Sequence, residues 1–210
     1  TQETVDNTFK STPYVTTFPD NSFAIVWTER VVANNKNDVI LQRFDASGNK
    51  VGSEINVAPN DWNTGHNGAG GIEKFSDNGF VVVWASDDKA ASDSSYDVYF
   101  QLFDASGNTV GSQTLVNSDT TKLSSNARVE VLSNDDFIVI YYVRGDNHLD
   151  YTGWAQQFDS SGNKIGTEIR LNDGPATDKE INQQITKTSN GNIIFVWKNI
   201  FETIFVWKKT

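Results

Sequence analysis

The chain has 210 residues, 37% of them hydrophobic and 12% aromatic, which is enough for the core of one domain or two small ones. Its formal net charge of −10 argues against nucleic acid or an anionic membrane as a partner, because both require clustered Lys and Arg. No long apolar run occurs, so we expect no membrane insertion. The absence of Cys excludes disulfides and Cys-based metal sites.

The sequence also contains no Met. A chain without an initiator Met indicates a processed or excised product, and removal of a signal peptide is the simplest route to one. We therefore expect the protein to be extracellular and secreted.

One sequence unit recurs along the chain. It starts with an apolar segment that reads FAIVW from Phe23, FVVVW from Phe80, FIVIY from Phe137 and IIFVW from Ile193. These starts are 57, 57 and 56 residues apart. In the first three copies a second segment follows, which reads FDASGNKVG, FDASGNTVG or FDSSGNKIG. A period of this size is typical of an array of identical supersecondary units.

Each repeat is predicted to form short β-strands, since its apolar residues are mostly Val, Ile, Phe and Trp. In chain order the first three repeats supply strands at 14–18, 23–28, 38–45 and 51–58, then 71–75, 80–85, 97–104 and 110–117, then 128–132, 137–142, 152–159 and 165–172. The fourth repeat supplies strands at 184–188, 193–198 and 202–208.

The predicted turns indicate antiparallel hairpins. Asp77-Asn-Gly and Ser189-Asn-Gly tolerate positive φ between apolar runs, and Ala-Ser-Gly-Asn suits a type I turn closed by a left-handed Gly. Four-stranded meanders repeated around an axis form a β-propeller. The predicted fold is therefore an all-β, four-bladed β-propeller in a single domain, 1–210. The blades span about 12–58, about 70–117, about 127–172 and about 183–210 together with 1–7.

The ring is expected to close through its amino terminus. The fourth repeat lacks a last strand, and residues 1–7 precede the first strand without a partner in the first repeat. If residues 1–7 complete the last blade, no sheet edge stays exposed, which protects against aggregation.

The pattern NGxFVVxW followed by DVxxQxFDxxGNxxG resembles the repeats of long secreted bacterial proteins, including those associated with calcium-binding haemolysin-type adhesins, and of ciliate surface proteins. The four-blade count resembles hemopexin-like propellers in architecture alone. This resemblance implies a secreted, β-propeller-like module. The glycine-rich calcium repeats that often accompany such proteins are absent from this sequence.

Three sets of residues recur at equivalent repeat positions and are predicted to be structural. Aromatic side chains at the end of the second strand are expected to pack between blades: Trp27, Trp84, Tyr141 and Trp197. Amide side chains in the third strand are expected to bridge neighbouring strands: Gln42, Gln101 and Gln156. Carboxylates before the turns are expected to accept backbone N–H bonds: Asp45, Asp104 and Asp159.

The longest and most divergent connections are predicted to lie on one face of the ring, where a rigid scaffold usually carries its binding residues. The candidate ligand-binding residues there are Trp62, His66, Asp93, Tyr96, Arg144, His148 and Tyr151. Trp62 is the candidate platform for stacking against a sugar ring.

The same face offers candidate metal ligands. Carboxylate oxygens suited to calcium come from Asp87, Asp88, Asp93 and Asp97, although their spacing is not that of an EF-hand loop. His66 and His148, with nearby Asp, are a further candidate for a metal or for acid–base chemistry. We expect that no cofactor is required. The ion for which a site is considered is calcium or another ion bound in the channel along the ring axis.

These features lead to three functional hypotheses. The first is a secreted, non-enzymatic, lectin-like module that binds a glycan or surface polymer. The alternative is a structural or adhesive repeat protein that assembles as a homo-oligomer. A glycoside hydrolase is the third, and it needs a carboxylate pair that the spacing does not single out. The sequence therefore predicts that the protein is not an enzyme.

Overall fold

The computed structural model describes residues 8–31, 36–58, 68–86, 95–145, 151–171, 180–199 and 204–209. Within these ranges the chain forms fifteen β-strands. They are β1 (Thr8–Thr17), β2 (Phe23–Val31), β3 (Lys36–Phe44), β4 (Lys50–Asn56), β5 (Gly68–Lys74), β6 (Phe80–Ser86), β7 (Asp97–Phe103), β8 (Thr109–Leu115), β9 (Ser124–Val131), β10 (Phe137–Arg144), β11 (Tyr151–Phe158), β12 (Lys164–Arg170), β13 (Glu180–Lys187), β14 (Ile193–Asn199) and β15 (Ile204–Lys209).

The strands form four antiparallel sheets of consecutive strands, which we call blades 1 to 4. Blades 1, 2 and 3 contain β1–β4, β5–β8 and β9–β12, and blade 4 contains β13–β15 in the described part of the chain. The first strands of successive blades pack side by side, β1 on β5, β5 on β9 and β9 on β13. The fold is therefore all-β, and the first strand of each blade lies at the inner edge of the array. None of the described residues forms a helix that could cross a bilayer.

Each blade has two apolar faces, because alternate residues of a strand point to opposite sides of the sheet. Its front face packs on the preceding blade and its back face on the following one. The front face of blade 2 includes Phe80 and Trp84, which pack against the back face of blade 1, including Val26. Trp84 is 1% exposed, and burying a side chain of this size contributes at most about 4–6 kcal/mol.

The same pairing of faces recurs along the array. At the interface of blades 2 and 3, Val81 and Val83 pack with Phe137, Val139 and Tyr141. At the interface of blades 3 and 4, the back-face residues Ile138 and Ile140 pack with Ile193 and Phe195, and Trp197 packs against this cluster. The prediction that the repeated aromatic residues pack between blades is confirmed for Trp84, Tyr141 and Trp197. Trp27 holds the same position in blade 1 but belongs to none of the described clusters between blades.

The turns and the buried amides also match their predictions. In the turn between β7 and β8, Asp104 Oδ1 accepts the N–H groups of Ser106 and Asn108, both at 2.8 Å. Gly107 lies in the left-handed region at φ 86°. Gln101 Nε2 donates to Leu102 O at 2.9 Å and to Val110 O at 3.0 Å, so it joins β7 to β8. Equivalent bonds are made by Asp45, Asp159, Gln42 and Gln156.

The first strand differs from its prediction. It begins at Thr8, well before the predicted start at position 14, and its register with β2 shifts between Ser11 and Tyr14. Thr12 has a φ of 47°, and Pro13 cannot donate a ladder hydrogen bond, so the strand continues across a bulge.

Closure of the ring is not described by the structure. Residues 1–7, predicted to complete blade 4, lie outside the described residues. Among the described strands, the packing that joins β1 to β5, β5 to β9 and β9 to β13 has no counterpart of similar extent between blade 4 and blade 1.

Candidate active site

Arg128 of blade 3 contacts the inner strands of blades 1 and 2. The Arg128 guanidinium of β9 lies 5.0 Å from the ring centroid of Tyr14 of β1, a contact between blades 3 and 1. Arg128 Nη1 also donates to Ala127 O at 2.7 Å and to Gly70 O of β5 at 3.3 Å. The inner edges of blades 1, 2 and 3 therefore converge on one narrow region near the axis.

Two carboxylates occupy one repeat position on neighbouring inner strands. Glu73 on β5 pairs with Val81, and Glu130 on β9 pairs with Ile138, so the two glutamates have the same register in blades 2 and 3. Both side chains are half-buried. Because β5 packs directly on β9, Glu130 is close enough for its charge to raise the pKa of Glu73.

A lysine faces one of these carboxylates. Lys187 Nζ on β13 lies 3.8 Å from Glu130 Oε1 and donates to Val131 O at 2.5 Å. Lys187 pairs with Ile193, and the residue at the equivalent register in blade 3 is Val131, which pairs with Phe137. Glu130 of blade 3 therefore faces the cation Lys187 of blade 4, whereas Glu73 of blade 2 faces the apolar Val131 of blade 3.

Burial shifts the protonation of both glutamates, and the neighbouring charges modify the shift. Burial raises the pKa of Glu73 to about 7, the charge of Glu130 adds to the shift, and Lys187 and Lys74 oppose it. Burial also raises the pKa of Glu130, against the opposing charge of Lys187. Near neutral pH, Glu73 can therefore hold a proton. Glu130 lies beside it with Lys187 as its partner, so the pair can donate and accept protons.

Most of the predicted loop site lies outside the described residues. This applies to Trp62, His66, Asp87, Asp88, Asp93 and His148. These assignments therefore stay predictions.

Four predicted site residues are described, and two of them lie together. Arg144 and Tyr151 pair at the end of the β10–β11 ladder, and Tyr151 packs edge-on against Tyr142 with ring centroids 6.3 Å apart. Tyr96 is half-buried, and its backbone oxygen accepts the Ser124 N–H at 2.7 Å.

Asp97, the described member of the predicted calcium cluster, is 1% exposed. It accepts a hydrogen bond from Asn117 Nδ2 at 2.6 Å, while Asn117 Oδ1 accepts the Val98 N–H at 2.8 Å. Asp97 thus helps to join the start of β7 to the segment after β8. Across the described ranges, no group of three or more His, Asp or Glu is arranged to hold a metal ion.

Sequence reasoning missed Glu73 and Glu130, because an isolated Glu in a strand is indistinguishable from a solvated polar position. A signal was nevertheless present. Each glutamate lies seven residues before the Phe that opens the next strand, Phe80 or Phe137, so the two acids are one repeat apart.

No protein-family model matches the chain, and no curated protein matches it. The resemblance to haemolysin-type, ciliate and hemopexin-like proteins therefore has no support from sequence comparison. Known structures support the β-propeller architecture.

Solved structures do resemble the fold. An endo-arabinase from Bacteroides thetaiotaomicron aligns with a TM-score of 0.63 at 12% identity, over 100% of this chain and 78% of its own. An α-L-arabinanase from Penicillium chrysogenum in complex with arabinobiose gives 0.66 at 13% identity, over 95% and 62%. An α-L-arabinofuranosidase from Fusarium graminearum in complex with an iminosugar inhibitor gives 0.65 at 9% identity, over 95% and 61%. In two of these three, this chain spans less than two thirds of the neighbour's length.

These neighbours correct the functional prediction. The prediction of a non-enzymatic, lectin-like or adhesive module is contradicted, and with it the prediction that the protein is not an enzyme. Several of the structural neighbours are glycoside hydrolases. The prediction depended on divergent loops, which indicate where a ligand binds and say nothing about chemistry. Identities of 9–13% establish likeness of fold alone. The chain is thus an all-β protein, and several of its structural neighbours are β-propeller glycoside hydrolases.

Proposed function

We propose that the protein is a carbohydrate-active enzyme that hydrolyses glycosidic bonds, with Glu73 as the general acid and Glu130 as the ionised carboxylate. The observation that carries the proposal is the pair itself. Two carboxylates lie at the same register on neighbouring inner strands, and Lys187 contacts one of them.

Glycoside hydrolysis generally needs two carboxyl groups in different protonation states. Glu73, whose pKa is raised to about 7, gives its proton to the leaving-group oxygen as the bond to the anomeric carbon breaks. Glu130 then stabilises the positive charge that develops on the sugar and accepts a proton from the attacking water. Lys187, whose ammonium lies 3.8 Å from the carboxylate, opposes the rise that burial causes in the pKa of Glu130 and so favours its ionised form.

The substrate class that we propose is a neutral, arabinose-containing glycan. An endo-arabinase, an α-L-arabinanase and an α-L-arabinofuranosidase are among the structural neighbours. A net charge of −10 also favours a neutral polysaccharide over a polyanion, which the protein would repel. An extracellular location fits such a substrate and is part of the proposal.

The reaction proposed here uses protein side chains for both proton transfers and needs no cofactor. We keep calcium, or another channel-bound ion, as a structural proposal that chelation tests directly. A single domain over 1–210, closed by residues 1–7 on the last blade, is likewise proposed. Closure would fix the positions of the inner strands that carry Glu73 and Glu130.

The test is an assay of the intact chain for reducing sugar released from linear arabinan, branched arabinan and galactan, with and without EDTA. We expect hydrolysis of an arabinan, at least 100-fold lower kcat in Glu73→Gln and Glu130→Gln, and an activity that declines as pH rises through about 7. Glu54→Gln is the matched control, because Glu54 is exposed on β4 of blade 1. No hydrolysis of any glycan, or full activity in Glu73→Gln, would overturn the proposal.

A further inference from the structure

The acid pair lies close to one end of the inner strands. Glu73 is the last residue but one of β5, and Glu130 is the last but one of β9. Lys187 is the last residue of β13. Each of these strands is followed by a tight turn that a backbone hydrogen bond of 2.7–2.8 Å closes. We call this side of the array the turn end.

The opposite end of the inner strands, which we call the loop end, is much farther from the pair. Gly68 begins β5 five residues before Glu73. At a rise of about 3.3 Å per residue, this separation is about 17 Å. Arg144 and Tyr151, described members of the predicted loop site, pair at the loop end of the β10–β11 ladder.

A contact between blades 1 and 3 lies between the pair and the loop end. Arg128 precedes Glu130 by two residues on β9, so it lies about 7 Å farther from the turn end on the same face of the strand. Its guanidinium lies 5.0 Å from the centre of the Tyr14 ring on β1. Gly71 holds the same register in blade 2 and has no side chain to separate the two. The contact therefore passes across the inner edge of blade 2.

The Arg128–Tyr14 contact is held in place by the backbone around it. Arg128 Nη1 donates to Ala127 O at 2.7 Å and to Gly70 O at 3.3 Å, and Arg128 Nε is buried. The strands β5 and β9 approach so closely here that a Cβ at Gly70 would lie 2.8 Å from Ala127 O. A sugar coming from the loop end would have to displace the guanidinium to reach the acid pair.

The turn end, by contrast, gives solvent access to the pair. The Lys187 side chain, whose ammonium lies 3.8 Å from Glu130 Oε1, is 42% exposed, and the Glu130 side chain is 13% exposed. The turns beside them carry exposed carboxylate, amide and hydroxyl groups, which suit hydrogen bonds with sugar hydroxyls: Asp77, Asn134 and Ser189.

We propose that the glycan reaches Glu73 and Glu130 from the turn end, and that the Arg128–Tyr14 contact closes the site toward the loop end. This proposal rests on the proposed function and adds the surface on which the substrate binds. Arg144 and Tyr151 lie beyond the contact and take no part in binding at the acid pair.

The absence of native Cys allows the two ends of β9 to be blocked separately. Ser133→Cys places a thiol at the turn end, two residues after β9, and Thr121→Cys places one at the loop end, three residues before it. Both positions are exposed. Each variant is assayed on arabinan before and after coupling to a bulky polyethylene glycol maleimide. We expect coupling to lower kcat/KM at least tenfold in Ser133→Cys and less than twofold in Thr121→Cys. Equal losses, or a larger loss in Thr121→Cys, would overturn the proposal.

A chemical measurement distinguishes failure of this proposal from failure of the proposed function. A carbodiimide and an amine convert accessible carboxyl groups to amides, and peptide mass spectrometry gives the rate at Glu130 without any glycan. Coupling should slow this reaction at least tenfold in Ser133→Cys and leave it unchanged in Thr121→Cys. Such protection in a protein that hydrolyses no glycan would overturn the proposed reaction but support the turn end as the open side. Equal rates in the two coupled variants would overturn the turn end itself.

Discussion

Lys187 on β13 and Glu130 on β9 form an ion pair across the interface of blades 3 and 4, with 3.8 Å between Nζ and Oε1. One repeat earlier, Val131 replaces the lysine at the equivalent register. Two otherwise equivalent glutamates therefore have different surroundings. The consequences can be measured through stability and its dependence on pH.

Replacing Lys187 by Met should destabilise the protein more at pH 8 than at pH 4. The lysine side chain is 42% exposed, so its contribution at pH 8 is that of a partly solvated pair, about 0.5–1 kcal/mol. The difference should shrink at pH 4, where Glu130 is protonated, because burial raises its pKa. Urea unfolding at the two pH values measures this change. Lys164→Met, at an exposed site on β12, is the control, and equal losses at both pH values would contradict the pairing.

Replacing Glu73 by Gln should stabilise the protein above pH 7 and change little below pH 4.5. The pKa of Glu73 rises from 4.5 to about 7 on folding, so the folded state keeps a proton that the unfolded state releases. The stability that comes from this proton is complete below pH 4.5 and is lost as pH rises through about 7. Gln mimics the protonated acid, so we expect a gain of about 1–3 kcal/mol at pH 8.

Glu54→Gln provides a control of opposite sign for this measurement. Lys50 holds the pKa of Glu54 below its ordinary value through a hydrogen bond and its charge. Glu54 therefore stabilises the folded state at neutral pH and loses this effect as pH falls through its folded pKa. Denaturant unfolding from pH 2 to pH 9 should give opposite slopes for the two differences, between pH 4.5 and about 7 for Glu73 and below pH 4.5 for Glu54. Parallel slopes would contradict the assignment of Glu73 as a buried acid.

The blades were predictable because the apolar strand segments and the turn residues repeat together along the sequence. The apolar segment from Phe80 to Trp84 repeats with the Asp104-to-Asn108 turn, and the structure places both where the repeat predicts. The bulge at Thr12 was not predictable, because a register shift depends on how the strand matches its partner. The exposure of the side chains of β1 was also not predictable, because it depends on contacts between distant parts of the chain.

The acid pair was not predictable for a related reason. Glu73 and Glu130 occupy the same repeat position but differ in burial and in what the next blade places beside them, Val131 or Lys187. A strand pattern identifies the face to which a side chain belongs, but a pKa depends on burial and on charges across the interface. The loop residues were predicted as a binding site because aromatic and His side chains stand out in a polar loop, whereas a single Glu in a strand does not.

Replacing Tyr141 by Phe should destabilise the interface of blades 2 and 3 by about 1–2 kcal/mol. Tyr141 Oη donates to Glu168 Oε1 at 2.7 Å, and the Ser118 N–H donates to the same oxygen at 2.7 Å. Burial, followed by the hydrogen bond to Glu168, holds the pKa of Tyr141 well above its ordinary range, so the phenol stays protonated and keeps donating. Urea unfolding measures the loss, with Tyr14→Phe as the control. A neutral Tyr141→Phe would mean that Glu168 is satisfied without the phenol.

The close approach of β5 and β9 at Gly70 should make this position intolerant of a side chain. A Cβ at position 70 would lie 2.8 Å from Ala127 O and 2.9 Å from Ala127 Cβ, so the backbones of blades 2 and 3 would have to separate. We expect Gly70→Ala to cost about 1–3 kcal/mol, as overpacking does. Gly68→Ala is the matched control on the same strand, since a Cβ at position 68 would meet no atom of a non-adjacent residue within 4 Å.

The Gly70 substitution should also affect the acid pair, because Glu73 and Glu130 lie on the two strands that it separates. Water entering between β5 and β9 would reduce the burial that raises the pKa of Glu73, and the pKa should fall toward 4.5. We therefore expect Gly70→Ala to lose both stability in thermal unfolding and the pH dependence assigned to Glu73. Gly68→Ala should keep both. A Gly70→Ala protein with wild-type stability would contradict the backbone contact, and one that is destabilised but retains a Glu73 pKa near 7 would show that the acid is buried by other means.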